Sequence, residues 1–211
     1  MEDNQIIRSV FTDWLSQARI LIDLVIVAWL VSAFNFWLFG RSLNRWGIRP
    51  RVASGLWTIP LCPFLHGSWS HLESNTLYFL IFGGLILLRD PADFAVVSWV
   101  ALITSGLGIW IFGKTLSTHV GASGVIFGYL GFLLVRGYFD NNLSSMLLTG
   151  VAFFFYGKFL WELLPLRAKI SWEGHLFGFS GGILAARYLS SFKEIFSQLG
   201  ETSHQIGQFL R

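Results

Sequence analysis

The sequence predicts an all-α integral membrane protein, a bundle of six transmembrane helices. Of its 211 residues, 54% are hydrophobic and 13% are charged, whereas an ordinary soluble domain is about 25% charged. The apolar segments are spread along the whole chain instead of forming one anchor, so a single membrane bundle accounts for them. The N-terminus lacks the basic region and small-residue cleavage site of a signal peptide, so we expect the first span to be retained.

A helix needs about 20 residues to cross a hydrocarbon core about 30 Å thick, and six apolar segments approach that length. They cover residues 20–39, 71–88, 92–112, 120–135, 143–164 and 174–189. Residues 40–65, between the first two, carry four Arg and three Pro and are too broken for one spanning helix. We therefore expect a membrane domain over residues 20–190, between an N-terminal tail (1–19) and a C-terminal tail (191–211).

The C-terminal tail is polar, but four apolar side chains recur in it at helical spacing, which predicts a short amphipathic helix on the membrane surface. They are Phe192, Ile195, Phe196 and Leu199. In the first span, Asp23 lies near one end, where we expect it to be hydrated.

Composition also excludes other classes of protein. The net charge is +3, but the basic residues lie at the ends of apolar segments, as in membrane proteins, so we expect no nucleic-acid partner. Cys62 is the only cysteine, so the chain can form no intramolecular disulfide and no multi-cysteine metal site. We expect no cofactor.

The fourth and sixth spans carry small residues at a spacing of three or four. These are Gly121, Gly124, Gly128 and Gly131 in the fourth span, and Gly174, Gly178, Gly182 and Ala186 in the sixth. Such a ridge lets a neighbouring helix approach closely. The simplest interpretation is packing alone.

Polar groups are costly at membrane depth, so a reactive side chain within a span is a functional hypothesis. Ser123, in Gly-Ala-Ser-Gly at the start of the fourth span, has an uncrowded hydroxyl near free backbone N–H groups. His175, beside Gly174 in the sixth span, could act as the base that activates such a hydroxyl. The alternatives are a packing serine bonded to its own helix and a histidine with a structural hydrogen bond.

A third polar group opens the second span. His71 and Asn75 are four residues apart, hence on one face of the helix, and both can donate hydrogen bonds to an oxyanion. A metal site is the competing interpretation, because His66 and Glu73 lie nearby. The order of these residues differs from the His-Glu-x-x-His pattern of a zinc hydrolase, and we expect no metal.

Together the three groups resemble the rhomboid intramembrane serine proteases in their six-span form. The match covers residues 66–186: His-x4-His-x3-Asn in the second span, Gly-x-Ser-Gly in the fourth and Gly-His-x2-Gly-x3-Gly in the sixth. The resemblance implies a Ser-His dyad without an aspartate, which forms an acyl-enzyme on a transmembrane segment of a substrate protein.

Carried over residue by residue, the resemblance makes Ser123 the nucleophile and His175 the general base. His71, Asn75 and the Ser123 backbone N–H would form the oxyanion hole. The supporting residues would be Gly121, Gly124, His66, Phe127 and Gly178.

Three positions depart from the family pattern. Gly174 stands where alanine is frequent, Trp57-Thr58 replaces a Trp-Arg pair in the first loop, and Phe127 replaces a tyrosine that packs on the catalytic imidazole. Phenylalanine can still stack there without offering a hydroxyl.

The resemblance implies further that the fifth span and the loop of residues 165–172 form a lateral gate and cap. It also implies that membrane lipids surround the bundle. Both termini would be cytoplasmic in an inner membrane, with the catalytic face outside. Charge does not decide this orientation. Seven basic residues lie on the side of the termini and eight on the other: Arg8, Arg19, Arg89, Arg136, Arg187, Lys193 and Arg211 against Arg41, Arg45, Arg49, Arg51, Lys114, Lys158, Arg167 and Lys169.

Two rival functions remain open. A non-proteolytic protein of the same fold would bind and escort membrane proteins, and such relatives usually lack the serine or the histidine. A small transporter with broken helices would show inverted repeats, and none is recognisable. Substrate identity and oligomeric state do not follow from the sequence.

Overall fold

The computed structural model describes residues 2–166 and 171–209, and within them it is helical without β-strands, apart from one isolated pairing of Ile48 with His119. The α-helices are α1 (Glu2–Trp37), α2 (Ser54–Trp57), α3 (Trp69–Leu87), α4 (Pro91–Phe112), α5 (Ser123–Asp140), α6 (Leu143–Tyr156), α7 (Trp172–Arg187) and α8 (Leu189–Phe209). Three 3₁₀ segments join them: Ser42–Trp46, Ile59–Phe64 and Gly157–Leu163. The all-α prediction is confirmed.

The six predicted spans correspond to α1 and α3 to α7. Three segments are long and apolar enough to cross a membrane: Ala18–Trp37, Pro91–Phe112 and Leu143–Leu163. Of the other three helices, α7 has only 16 residues, and α3 and α5 carry the glycines and polar side chains singled out in the sequence, which lowers their hydropathy. The predicted first and fifth spans lie within two residues of Ala18–Trp37 and Leu143–Leu163. Two helix ends differ from expectation, since α1 runs back to Glu2 and α5 continues past residue 135 to Asp140. The fifth span ends as a 3₁₀ segment after α6.

Side-chain caps set where several helices begin. The Ser68 hydroxyl accepts a hydrogen bond from the His71 backbone N–H at 3.2 Å and starts α3. The Asp90 carboxylate accepts one from Ala92 at 2.8 Å and, with Pro91 in the first turn, starts α4. These caps place His71 in the first turn of α3.

The closest helix contact joins α5 to α7 through their glycines. A Cβ atom at Gly178 would collide with the Gly124 carbonyl, and one at Gly182 would collide with the Gly128 carbonyl. On its other side, Gly124 faces α4, where a Cβ would lie 2.7 Å from the Ser105 side chain. The predicted close approach of these two glycine-rich helices is therefore confirmed, and it needs glycine at these positions.

Burial places α5 at the centre of the bundle and α6 at its edge. Every residue from Gly124 to Leu133 is buried. Phe153, Phe154 and Phe155 on α6 are 60–81% exposed. In a membrane these rings face lipid, because a large exposed apolar surface is unfavourable in water.

A cluster of six charged side chains lies at the end of α5 opposite Ser123. It joins the end of α5 to the turn between α3 and α4 and to α8. Its members are Arg89, Asp90, Asp93, Arg136, Asp140 and Lys193. Arg89 pairs with Asp140 at 2.6 Å and with Asp93 at 3.6 Å. Lys193 contacts Asp90 and Asp93, each at 2.5 Å, and so attaches α8 to the start of α4. The Asp90 pKa is lowered: burial, the largest single effect, raises it, but the hydrogen bonds from Lys193 and Ala92 and the charges of Lys193 and Arg89 together outweigh burial.

We expect Arg89→Met to lower the free energy of unfolding by about 1.5–3 kcal/mol, because Asp93 and Asp140 each lose one of two cations while Lys193 and Arg136 stay paired with them. The measurement is reversible unfolding in detergent micelles. Arg19→Met is the matched control: the Arg19–Asp23 pair has the same 3.6 Å separation and four-residue spacing, but its side chains are 80% and 63% exposed. An exposed pair contributes about 0–1 kcal/mol, so equal losses in the two variants would show that burial does not strengthen the Arg89 pairs.

Candidate active site

The predicted reactive residues surround one cavity of about 950 Å³. Ser123, at the first position of α5, and His175, in the first turn of α7, both line it. His71 and Asn75 line it from α3, and Phe127 lines it from α5. The structure thus brings together five side chains that are separated by up to about a hundred residues in the sequence.

The loop before Ser123 has a conformation that requires glycine. Gly121 has φ +114°, a value that side chains of L-residues rarely adopt. Its N–H donates to the Cys62 carbonyl at 2.9 Å, which ties this loop to the 3₁₀ segment Ile59–Phe64. Ser123 follows directly at the helix N-terminus, where the first backbone N–H groups lack partners within the helix.

His71 and Asn75 reach this loop from α3. A Cβ atom at Gly121 would lie 2.6 Å from His71 Cε1, 2.7 Å from His71 Nε2 and 3.0 Å from Asn75 Nδ2. The Asn75 Nδ2 atom is buried and has no hydrogen-bond partner within the described part of the chain. A buried donor without a partner is costly, so this amide is well suited to an acceptor that arrives with a ligand.

His175 is buried, with 5% of its surface exposed, and is held on two sides. The Phe127 ring stacks on its imidazole with a centroid distance of 4.0 Å and an interplanar angle of 15°. Its Nδ1 lies 3.2 Å from the Glu162 carbonyl oxygen, in the 3₁₀ segment after α6. No direct Ser123–His175 hydrogen bond joins the two side chains among the contacts of the described residues. Catalytic hydrogen bonds in ligand-free enzymes are often long and tighten when substrate binds.

His66 lies behind this group and has structural contacts. It is 1% exposed. Its Nδ1 is 3.3 Å from the Ser32 hydroxyl of α1, and its carbonyl accepts from Asn44 Nδ2 at 3.1 Å. Burial, and to a smaller extent His71, lower the pKa of His66 to about 3, so the ring is neutral. No three His, Cys, Asp or Glu side chains within the described ranges are arranged to hold a metal ion.

Two departures from the family pattern have local structural reasons. A Cβ at Gly174 would lie 2.9 Å from Ile109 Cδ1, so alanine would require this side chain to shift. The Thr58 hydroxyl lies within hydrogen-bond distance of the Gly47 and Gly55 carbonyls at 3.1 and 2.9 Å, and it bonds the first loop to itself without an arginine.

Sequence reasoning missed three polar residues beside the cavity: His119, Ser171 and Glu173. The His119 ring lies 2.8 Å from both the Ser117 and Ser171 hydroxyls, and the Ser171 hydroxyl lies 3.5 Å from the Glu173 carboxylate. Burial lowers the pKa of His119, although the Glu173 charge opposes the shift. The only available signal was their position, close before Ser123 and His175. Residues 167–170 of the predicted cap loop lie outside the described residues.

Fold and site together define a membrane-embedded helical protein with a serine at a helix N-terminus and a histidine on the adjoining helix. The chain belongs to the rhomboid family: residues 53–192, more than half of it, match the Rhomboid domain. A Mycobacterium tuberculosis protein described as uncharacterised is 36% identical over 186 residues, covering 84% of this chain and 77% of the relative.

Two further relatives carry rhomboid names. A Bacillus subtilis protein, YdcA, which is provisionally designated a rhomboid protease, is 31% identical over 164 residues, covering 70% of this chain and 79% of the relative. Rhomboid-like protein 11 of Arabidopsis thaliana, designated chloroplastic, is 33% identical over 93 residues, covering 41% of this chain and 32% of its own length.

We expect Gly121→Ala to abolish the reactivity of Ser123, because the new methyl group needs a strained backbone and overlaps His71 and Asn75. The measurement is the rate at which a fluorophosphonate probe labels the purified protein in liposomes. Gly84→Ala on α3 is the control, since its Cβ would meet only Leu21 Cδ1, at an ordinary 3.9 Å. Normal labelling of the Gly121 variant would show that this loop geometry is not required.

Proposed function

We propose that the protein is an intramembrane serine endopeptidase that cleaves transmembrane segments of membrane proteins through a Ser123–His175 dyad. The observation that carries the proposal is the Nδ1 contact of His175. A carbonyl oxygen can only accept a hydrogen bond, so the 3.2 Å contact with Glu162 requires the proton on Nδ1. In the neutral ring, Nε2 then carries the lone pair of a general base.

The chemistry follows from these positions. Ser123 Oγ attacks the peptide carbonyl while His175 Nε2 takes its proton, and the imidazolium then gives that proton to the leaving amine. Water hydrolyses the acyl-enzyme with His175 again as base. Stacking on Phe127 restricts the imidazole plane through both steps, which is the orienting task that a carboxylate performs in a catalytic triad.

The oxyanion of the tetrahedral intermediate would be bound by Asn75 Nδ2, the His71 ring and the Ser123 backbone N–H. Support comes from the unpartnered, buried Asn75 amide and from the closeness of both α3 side chains to the loop before Ser123. Donors fixed in advance at such a position each contribute about 2.7–4 kcal/mol to transition-state stabilisation.

The substrate class follows from the location of the cavity in a membrane protein. A transmembrane helix would enter sideways, past the exposed aromatic face of α6, and unwind locally because an intact helix shields its amides. The cavity lining includes polar groups, among them Lys114, Ser117 and Glu173, along which water can reach the acyl-enzyme. We place the protein in an inner membrane with cytoplasmic termini and an extracytoplasmic catalytic face.

The test is intact-mass labelling by a fluorophosphonate probe in liposomes, which needs no known substrate. We expect one adduct on the wild-type protein, none on Ser123→Ala, and a rate lowered by about 10³-fold or more in His175→Ala. Cleavage of a reconstituted transmembrane peptide library should show the same dependence.

The control is Ser180→Ala on α7, whose hydroxyl bonds only its own helix, to the Leu176 carbonyl at 2.9 Å; it should label like the wild type. If folded wild-type protein takes no label under conditions that label an active rhomboid protease, the dyad is not assembled. The non-proteolytic, membrane-protein-binding function would then replace this proposal.

A further inference from the structure

The structure holds a polar link between the two segments that carry the dyad. The His119 imidazole spans from the Ser117 hydroxyl, 2.8 Å from Nε2, to the Ser171 hydroxyl, 2.8 Å from Nδ1. His119 lies four residues before Ser123, and Ser171 lies four residues before His175. The link therefore joins the residue four positions before Ser123 to the residue four positions before His175.

Each end of the link is also held by backbone hydrogen bonds. The His119 backbone exchanges two hydrogen bonds with Ile48, both of 2.9 Å. The Ser171 carbonyl accepts the His175 backbone N–H at 3.2 Å, so Ser171 sets the first turn of α7. A shift of Ser171 would therefore shift the first turn of α7, which carries His175.

The hydrogen-bond directions follow from counting protons. The Ser117 hydroxyl has one hydrogen and donates it to the Lys114 carbonyl at 2.5 Å, so His119 Nε2–H donates to Ser117 Oγ. In a neutral ring Nδ1 is then an acceptor, and Ser171 Oγ–H donates to it at 2.8 Å. The competing Ser171–Glu173 contact is 3.5 Å long and is the weaker of the two.

We propose that His119 is a positioning residue for the dyad: its bond with Ser171 holds the loop before Ser123 against the first turn of α7 and so sets the Ser123–His175 geometry. His119 acts through Ser171 and does not itself touch the reacting atoms. This inference rests on the proposed function.

The test uses the full chain in liposomes and separates the maximal labelling rate from the affinity for the fluorophosphonate probe. We expect His119→Ala and Ser171→Ala each to lower the maximal rate by about 10- to 100-fold, with unchanged affinity and an unchanged unfolding temperature. The double variant should be no slower than the slower single variant, because both changes break one contact.

Conservative variants separate positioning from a general packing role. His119→Asn places an amide oxygen near the position of Nδ1 and should restore most of the rate, as should Ser171→Thr. His119→Gln reaches instead toward the position of Nε2 and Ser117, so it should remain as slow as His119→Ala.

The outcomes distinguish the two proposals. Wild-type labelling that depends on Ser123, together with full-rate labelling of His119→Ala or equal rates for the Asn and Gln variants, overturns the positioning role and leaves the proposed function intact. A folded wild-type protein that takes no label overturns both. A loss of rate that occurs only with a matching loss of stability also overturns the positioning role.

Discussion

The contact between α5 and α7 determines where Ser123 and His175 lie. Backbones can approach this closely only where no Cβ intervenes, and Gly178 lies directly over the Gly124 carbonyl. Ser123 precedes Gly124 by one residue, and His175 precedes Gly178 by three, so the glycine contact fixes both at one end of the interface. A side chain at either glycine would separate the helices and with them the serine and the histidine.

Features encoded by local spacing could be predicted from the sequence. Glycines at every fourth residue produce a ridge wherever the segment is helical, and His71 and Asn75 share a face for the same reason. Contacts that depend on tertiary placement could not be predicted. The His119–Ser171 bond joins residues 52 positions apart, in a loop and at a helix start where no periodicity constrains them. The extent of α1 was also missed, because the polarity of residues 1–19 marks where hydrocarbon ends and not where the helix does.

Buried polar groups find partners differently at the two ends of the bundle. Around Arg89, Asp93 and Asp140, the buried charges form ion pairs, although Arg89 Nε, Asp93 Oδ1 and Arg136 Nε have no hydrogen-bond partner in the described residues. Around Ser123, the cavity is open and the buried Asn75 amide has no partner in the described residues. One end of the bundle thus holds its buried charges as ion pairs, whereas the other presents a buried donor to an open cavity.

The group that places the proton of His175 on Nδ1 is the main-chain carbonyl of Glu162. Every amino acid presents the same carbonyl at that position, so replacing the side chain leaves the acceptor in place. A saturation-mutagenesis screen would therefore overlook it, and comparison of aligned residues would show no invariant side chain that accepts the Nδ1 proton. The position of this acceptor depends on the path of the 3₁₀ segment Gly157–Leu163. Insertions, deletions or proline substitutions would alter that path, whereas most other point substitutions would leave it unchanged.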